Sequence, residues 1–277
     1  MNGDGLDDLV IGAPGADPGD RADAGQTYVV FGKADGAPVE IADVLAGRGG
    51  FALDGIRAGD QAGSSVGGAG DVNGDGFADL ILRAPLADGP DTPAESYVVF
   101  GGDLTASVDL LGSAGDDQLV GTAADEIVVG GRGDDVLIGG GGADVLNGAA
   151  GDDLLAIADL GFRKLLGGSG TDTVRLDGAG DLLDLTAISD LVVRDVERID
   201  LNGDGSQLVL DTLEILNLDD NSNALTVFGD ATNAVRGDLT GATPGQTTVD
   251  GLTFDSFTVG NAALLVQTAV DTSGVVV

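Results

Sequence analysis

The 277-residue sequence contains no cysteine and no histidine. Without cysteine no disulfide can form, so cysteine usage does not indicate the compartment. The two absences exclude zinc sites built on Cys or His, histidine acid–base catalysis, and Ser-His-Asp or Cys-His triads within this chain.

Positive charge is also scarce. There are 12 Lys and Arg residues against 47 Asp and Glu, which gives a formal net charge of −35. Such a chain repels itself unless cations screen it, and we expect it to bind neither nucleic acid nor an anionic membrane surface. The acidic residues recur at fixed places beside glycines, which favours many small cation sites over a disordered acidic tail.

Aromatic residues make up only 4% of the chain, and the apolar residues are mostly aliphatic. No apolar run approaches the ~20 residues that span a bilayer, so we predict that the chain is not transmembrane. Met1 is followed directly by Asn-Gly-Asp-Gly, so no N-terminal signal peptide is expected. The 49 glycines, together with aliphatics at period two or nine, are typical of thin, turn-rich β layers.

A nine-residue repeat runs from Gly112 to Ala156 and returns at Gly167–Arg175. Its template is G-G-x-G-x-D-x-U-x, where U is a large aliphatic residue. The six frames are GSAGDDQLV, GTAADEIVV, GGRGDDVLI, GGGGADVLN, GAAGDDLLA and GGSGTDTVR. Positions one to six predict a turn lined by backbone oxygens and one carboxylate, and positions seven to nine predict a short strand.

Two frames are expected to complete one coil, so that frame n stacks on frame n+2. The position-six residues then form two columns of candidate calcium ligands, Asp117, Asp135 and Asp153 in one and Glu126 and Asp144 in the other, with Asp172 as their equivalent in the sixth frame. Each Ca²⁺ is expected between stacked turns, because hard oxygen ligands suit calcium. The position-eight aliphatics are expected to form the core between two sheets. The alternative is a metal-free, glycine-rich solenoid.

This array resembles the RTX, or haemolysin-type, calcium-binding repeats of proteins exported by type I secretion. The resemblance implies a parallel β-roll that is unfolded without calcium, since neighbouring carboxylates repel and little apolar area is buried. Weaker sites are expected where the template is broken, at Ser113, Thr122, Ala124, Glu126 and Ala149. The interruption at 157–166 is expected to form either a bulged loop or a coil that binds no ion.

A second, longer repeat occupies residues 1–103. The segment Asn2–Asp17 returns as Asn73–Asp88, and YVVFG at Tyr28–Gly32 returns at Tyr97–Gly101. Each copy predicts an acidic loop, an apolar strand, a polar turn and another strand, which is typical of a propeller blade. The copies resemble the FG-GAP repeats of the integrin-alpha type β-propeller. Fewer than two blades are present, so the chain is expected to be the C-terminal piece of a longer protein or to have a mis-set start codon.

The loop from Asp71 to Asp79 is a candidate calcium loop. Its oxygen ligands are expected from Asp71, Asn73, Asp75 and Asp79 and from the Phe77 carbonyl. A partial copy offers Asn2, Asp4 and Asp8. The alternative is a plain Asn-Gly-Asp-Gly turn between strands. A similar start at Asp200 is predicted to be a turn, because its ninth position is a leucine.

Residues 181–277 alternate between apolar and polar positions in LLDLTAI, VERIDLNG, QLVLDTLEILNL and ALTVFGD, and later around Gly260-Asn261. We predict short strands that continue the roll as a solenoid and end in a terminal hairpin. The predicted fold is therefore all-β, with incomplete FG-GAP propeller blades at 1–103, a calcium-binding parallel β-roll at 111–180 and a solenoid-like cap at 181–277.

The adjacent aspartates of the GDD frames are explained by the repeat, so no catalytic residue is predicted. The two Arg-Gly-Asp triplets, at Arg132 and Arg236, are interpreted as chance. The first functional hypothesis is a non-enzymatic, secreted or surface-associated calcium-binding protein that contacts a cell-surface protein or glycan. The alternatives are the calcium-binding secretion tail of a larger exported hydrolase and a structural spacer.

Overall fold

The computed structural model describes residues 1–87, 93–218 and 222–277; Asp88, the last residue of the second long-repeat copy, lies outside them. The described chain is almost entirely β and divides into two compact units. The first contains residues 1–73 and 77–107, and the second contains residues 74–76 and 108–277. No helix among the described residues combines the length and apolarity that a membrane span requires.

The first unit contains two three-stranded antiparallel sheets. The strands of the first sheet are β1 (Leu9–Ala13), β2 (Gln26–Val30) and β3 (Gly50–Asp54), and those of the second are β4 (Ser65–Gly70), β5 (Asp79–Ala84) and β6 (Glu95–Val99). A one-turn helix α1 (Ile41–Leu45) and a 3₁₀ turn (Pro18–Asp20) lie in the connections. The apolar strands predicted after each acidic loop are confirmed as β1 and β5.

The long repeat relates the two sheets strand by strand. β1 corresponds to β5 and β2 to β6, while β4 precedes β5 and β3 follows β2. In a common unit of four strands, the first sheet therefore contains the second, third and fourth strands, and the second sheet contains the first, second and third. Alternation along β5 buries Leu80, Leu82 and Ala84 on one face and exposes Ile81 on the other, so this sheet packs through one face.

The second unit is a parallel roll whose strands alternate between two sheets. One sheet contains β7 (Leu110–Leu111), β9 (Ile127–Arg132), β11 (Val145–Ala150), β13 (Lys164–Ser169) and β16 (Val193–Arg194). The other begins with β8 (Gln118–Val120), β10 (Val136–Ile138), β12 (Leu154–Ile157) and β14 (Thr173–Leu176), and continues through β17 (Arg198–Asp200), β19 (Ala224–Phe228) and β23 (Ala262–Gln267).

The register confirms that frame n stacks on frame n+2. Val136 of β10 pairs with Gln118 of β8 and with Leu154 of β12, both in parallel and both eighteen residues away. The position-eight side chains point between the sheets and are almost fully buried from the second frame onward: Val128, Leu137, Leu146, Leu155 and Val174. Leu119 of the first frame packs against this core and is only partly buried.

The interruption at 157–166 is a modified coil and not a bulged loop. Val145 pairs with Lys164, so the offset is nineteen residues and one residue has been added. Leu165 takes position eight and is fully buried. The same register puts Arg163 at position six, where the template has an aspartate.

Beyond β14 the coils become longer and acquire a third side. The parallel strands β15 (Leu182–Asp184), β18 (Gln207–Asp211), β20 (Ala234–Asp238) and β24 (Asp271–Val276) form a separate four-stranded sheet. The predicted continuation of the roll as a solenoid is confirmed, because β17 pairs in parallel with β14 and β19 pairs in parallel with β17.

The prediction of strands alone in this region is wrong at two places. Leu185–Ala187 is a 3₁₀ turn, and α2 (Thr212–Leu218) is a helix. Asp211 begins α2 because its Oδ1 accepts the backbone N–H groups of Leu213 at 2.7 Å and Glu214 at 3.3 Å. Ile215 and Leu218, three residues apart, give this helix its buried face.

The far edge of the nine-stranded sheet is antiparallel. The predicted hairpin around Gly260-Asn261 is confirmed as β22 (Leu252–Val259) paired with β23, and β21 (Thr243–Val249) extends it. The hairpin is not terminal, because the chain continues into β24.

Candidate calcium-binding turns

The position-six carboxylates form a ladder along one side of the roll. The backbone N–H of Asp117 donates to Asp135 Oδ1, that of Asp135 to Asp153 Oδ1, and that of Asp153 to Asp172 Oδ1, each at 2.8 Å. The N–H of Asp172 donates to Glu197 Oε2 at 2.7 Å. One oxygen of each acceptor carboxylate therefore fixes the spacing of neighbouring coils.

The second oxygen of three of these carboxylates has no protein donor. Oδ2 of Asp135, Asp153 and Asp172 is buried and has no hydrogen-bond partner. Such an arrangement is costly for an ionised group, because buried acceptors normally find a donor.

These orphaned oxygens face small cradles that exist because position one is glycine. A Cβ built on Gly130 would lie closer than 3.0 Å to both Asp135 Oδ2 and the carbonyl oxygen of Gly148. The same holds at Gly148, with Asp153 Oδ2 and the Gly167 carbonyl. At Gly167 the two oxygens are Asp172 Oδ2 and the Asp195 carbonyl. Each cradle is thus lined by one carboxylate oxygen and one carbonyl, a donor set that fits a hard cation such as Ca²⁺.

The electrostatics of the column favour a cation as well. Burial, together with the neighbouring carboxylates, raises the pKa of Asp153 to about 6 and that of Asp172 to about 7. Burial also raises the pKa of Asp135 and Asp144. A bound cation would offset both causes, since it supplies the positive charge that the buried ionised groups lack.

A second ladder, which the sequence had not indicated, involves position five. Asp134 Oδ1 accepts the N–H of Asp152 at 2.9 Å, and Asp152 Oδ1 accepts the N–H of Thr171 at 2.8 Å. Position five therefore bonds to the following coil, whereas position six bonds to the preceding one. The double aspartate of the GDD frames, present at 116, 134 and 152, was the available signal. In the pairs at 134 and 152, one aspartate side chain bonds to the following coil and the other to the preceding coil.

The first two frames use their carboxylates differently. Asp117 Oδ2 accepts the N–H of Ser113 at 2.6 Å and its hydroxyl at 2.8 Å. Glu126 accepts the N–H and the hydroxyl of Thr122 in the same way. The residues that replace the second glycine of the template thus occupy the oxygens that later frames leave open, and Asp117 and Glu126 are more fully hydrogen-bonded than Asp135 or Asp153.

The second column is shorter than the first. Asp144 Oδ1 accepts the N–H of Glu126 at 3.0 Å, which continues the ladder pattern. In the next coil position six is Arg163, which brings a positive charge and no carboxylate. The column of candidate ligands therefore ends at Asp144.

Within residues 1–87, 93–218 and 222–277, no three acidic side chains converge on one point as a metal-binding group. The roll offers a different arrangement, in which each cradle has a single carboxylate and backbone oxygens. The described residues of the acidic loops in the first unit also form no such group of three acidic side chains, and their calcium ligands remain a prediction.

In those loops the ninth position makes structural hydrogen bonds. Asp79 is buried; its Oδ2 accepts the N–H of Val72 and its Oδ1 accepts the N–H of Gly101, both at 2.8 Å. Asp8 repeats the arrangement: Oδ1 accepts the N–H of Gly32, and Oδ2 lies 2.9 Å from the Met1 nitrogen. Each aspartate thus fastens its loop to the end of the YVVFG strand.

The other predicted loop residues lie at varied depth. Asp71 is exposed, Asn73 and Asp75 are partly buried, and the Phe77 side chain is buried. Asn2 is buried and its Nδ2 donates to Asp4 Oδ2 at 2.9 Å, while Asp4 Oδ1 accepts the N–H of Leu6 at the same distance. The segment after Asp200 forms a turn, as predicted, in which Asn202 Nδ2 donates to Asp177 Oδ1 at 3.0 Å.

Comparison with known proteins identifies both kinds of repeat. The RTX calcium-binding nonapeptide repeat matches residues 109–136 and 120–155, and the FG-GAP repeat matches residues 1–30 and 62–100. Integrin alpha-PS2 of Drosophila melanogaster is 35% identical over 105 residues, which are 36% of this chain and 7% of that protein. The solution structure of the AlgE6R3 subunit of the Azotobacter vinelandii mannuronan C5-epimerase matches with 18% identity and a TM-score of 0.22, over 61% of this chain and 82% of that one.

The fold is that of an all-β repeat protein, and its RTX nonapeptide repeats indicate that it binds calcium. More particularly, it is a chain that carries FG-GAP repeats followed by RTX calcium-binding nonapeptide repeats, and its cofactor is Ca²⁺.

Proposed function

We propose that the chain is a secreted or cell-surface protein whose roll takes up Ca²⁺ in the cradles at Asp135, Asp153 and Asp172 and is held folded by it. The observation that carries this proposal is the row of three buried carboxylate oxygens without a donor, each beside a carbonyl oxygen. Calcium ligation would offset the cost of burying these unpaired oxygens and would add contacts between coils, so that ion binding and folding are coupled.

Calcium-titrated circular dichroism tests the coupling. The full chain in EGTA is expected to show a reduced β signal that returns cooperatively as calcium is added. A matched pair of variants locates the effect: Asp153→Asn removes the negative charge of a cradle, while Asp204→Asn removes the same charge from an exposed turn. A β signal that chelator leaves unchanged, or equal calcium midpoints for the two variants, would contradict the proposal.

We further propose that the first unit contributes to adhesion to a cell-surface protein or glycan. The FG-GAP match and the likeness to a segment of an integrin alpha chain support this proposal. Immobilised chain should retain cells or glycans in calcium and release them in EGTA. A fragment of the roll alone, residues 108–277, is the comparison. If this fragment retains as much as the full chain, the binding surface lies in the roll and not in the first unit.

Export is the third part of the proposal. A chain that folds only when it meets calcium can stay unfolded in a low-calcium cytoplasm and fold outside the cell, as the RTX repeats suggest. Co-expression with a type I exporter, with calcium varied only in the medium, should give secreted chain that is protease-resistant in high calcium. Secretion that persists without the exporter would rule this route out.

A further inference from the structure

A third series of turns lies outside the nonapeptide array, where the nine-stranded sheet passes into the four-stranded sheet. These corner turns are Gly178–Asp181, Gly203–Ser206 and Gly229–Asn233, and each ends directly before β15, β18 or β20. The strands are in register, with Leu182 beside Gln207 and Gln207 beside Ala234. Asp181, Ser206 and Asn233 are therefore equivalent residues of successive coils.

In the second and third corner turns a side-chain donor bridges to the coil before. Ser206 Oγ donates to the carbonyl of Gly178 at 3.2 Å, and Asn233 Nδ2 donates to the carbonyl of Gly203 at 2.7 Å. Both residues are buried. In each case the bond runs from the last residue of one corner turn to the first glycine of the previous one.

The first corner turn has the same geometry without a donor. A Cβ built on Gly178 would lie closer than 3.0 Å to both Asp181 Oδ2 and the carbonyl oxygen of Ala158. Ala158 directly follows β12, which pairs with β14 of the next coil, so Ala158 belongs to the preceding coil. Asp181 Oδ2 is buried and has no hydrogen-bond partner. Two acceptor oxygens therefore face one small space, where the next two coils each place a donor.

We propose that Asp181 Oδ2 and the Ala158 carbonyl hold a divalent cation of the calcium class, with water completing its coordination. The cradle has the same two kinds of oxygen as those at Gly130, Gly148 and Gly167, yet it lies outside the nonapeptide frames. A cation satisfies two facing acceptors at once and also supplies the positive charge that an ionised, buried carboxylate lacks. The ion ties the interrupted coil to the first three-sided coil, which is where the roll changes its cross-section.

The test is Asp181→Asn in the full chain, with calcium counted by equilibrium dialysis. We expect one ion fewer per chain. The urea midpoint in EGTA should rise, because an amide can donate to the Ala158 carbonyl as Asn233 does to Gly203. Asp204→Asn, the same charge change on an exposed neighbouring turn, should leave the ion count unchanged. An unchanged count in Asp181→Asn overturns the proposal, as does an equal gain in stability with and without calcium, which would indicate that calcium does not act at this turn.

The converse change is Ser206→Asp. It places a carboxylate against the Gly178 carbonyl, so we expect a lower urea midpoint in EGTA, recovery in calcium, and one additional bound ion. No recovery in calcium would count against the site. The site at Asp181 does not depend on the array: in a chain carrying Asp135→Asn and Asp153→Asn, Asp181→Asn should still remove one ion.

Discussion

Each position-six carboxylate in the middle of the roll serves two different neighbours with its two oxygens. Oδ1 takes a backbone N–H of the preceding coil, and Oδ2 lines the cradle beside a carbonyl of the following coil. A charge-assisted hydrogen bond of this kind contributes about 1.5–3 kcal/mol. The residue thus spaces the coils and also provides the oxygen that we propose as a cation ligand.

The raised pKa values of Asp153 and Asp172 predict how stability depends on pH without calcium. The folded chain holds these protons up to about pH 6 and 7, whereas the unfolded chain releases them near its ordinary value of 3.8. The folded state therefore binds more protons in this window, and calcium-free stability should fall as pH rises from about 4 to about 7.

Urea midpoints in EGTA at pH 5 and pH 8 measure this effect. Asp172→Asn, which is neutral at both values, should show a smaller difference between them than the unsubstituted chain. Saturating calcium should reverse the trend, because protons compete with the cation for the same oxygens. Equal midpoints at the two pH values in EGTA would show that these carboxyls stay ionised in the folded chain.

Asp79 gives a prediction that separates a structural role from a ligand role. Asp79→Asn keeps an oxygen for one backbone N–H and turns an amide donor toward the other. It should cost about 1–3 kcal/mol in the free energy of unfolding of the first unit. Chemical denaturation in EGTA should show the full loss. A loss that appears only in calcium would assign Asp79 to an ion instead.

At the scale of the single element, the roll is built from strands too short to be stable alone. β8, β10 and β17 each contain three residues. Their stability comes from stacking, since every coil buries one aliphatic residue per strand against the next. Glycine at positions two and four supplies the left-handed backbone of the turns, with φ of 94° at Gly140 and 108° at Gly142.

Leu146 tests the contribution of one coil. It is fully buried at position eight, so Leu146→Ala should cost about 2–5 kcal/mol in saturating calcium. The control is Val120→Ala, a strand residue that is mostly exposed and should cost less than about 0.5 kcal/mol. Urea denaturation followed by circular dichroism measures both. Equal losses would mean that the stacked aliphatics do not form the core.

The nine-residue period was sufficient to predict the coil, its register and its core, because each position has one role in the template. It could not predict the third side of the solenoid. The first two coils after β14 are 25 and 28 residues long, and the corner turns share only a glycine and a polar residue. Nor could it predict α2: Asp211 and Glu214, three residues apart, resemble a helix start, but the apolar residues around them also fit a strand.

The cradles could be predicted only in part. The template marked Asp135 and Asp153. The oxygens beside them are backbone carbonyls of other coils, and because every residue has a carbonyl, the residue types do not reveal which ones line a cradle. Glu197, which ends the first ladder, was missed because its frame has lost the glycines. The role of Asp79 depends on Gly101, twenty-two residues away, and is visible only once the strands are paired.

At the scale of the whole molecule, the net charge of −35 sets a requirement for cations. General screening and specific ligation make different predictions. Salt at about 0.5 M shortens the range of repulsion to a few ångströms, but it does not place a cation between two facing oxygens. Sodium chloride in EGTA should therefore restore little of the calcium-dependent β signal. Full recovery in salt alone would reduce the role of calcium to screening.

Magnesium provides the matching control at this scale. It demands near-octahedral geometry at short distances and gives up its water reluctantly, so cradles made of one carboxylate and carbonyls should accept it poorly. Millimolar Mg²⁺ is expected to fold the roll far less than Ca²⁺ at the same ionic strength, as judged by circular dichroism. Equal folding by the two ions would contradict selective cradles.

The antiparallel edge formed by β21 and β22 has a consequence for self-association. A parallel roll is a template onto which another coil can add, and a row of free strand edges would let copies join into filaments. In the nine-stranded sheet the last parallel strand, β23, is followed by the antiparallel strands β22 and β21. The outer strand, β21, carries Pro244, which has no N–H to donate. These two strands end the parallel stacking of the nine-stranded sheet, so this edge disfavours the addition of another coil.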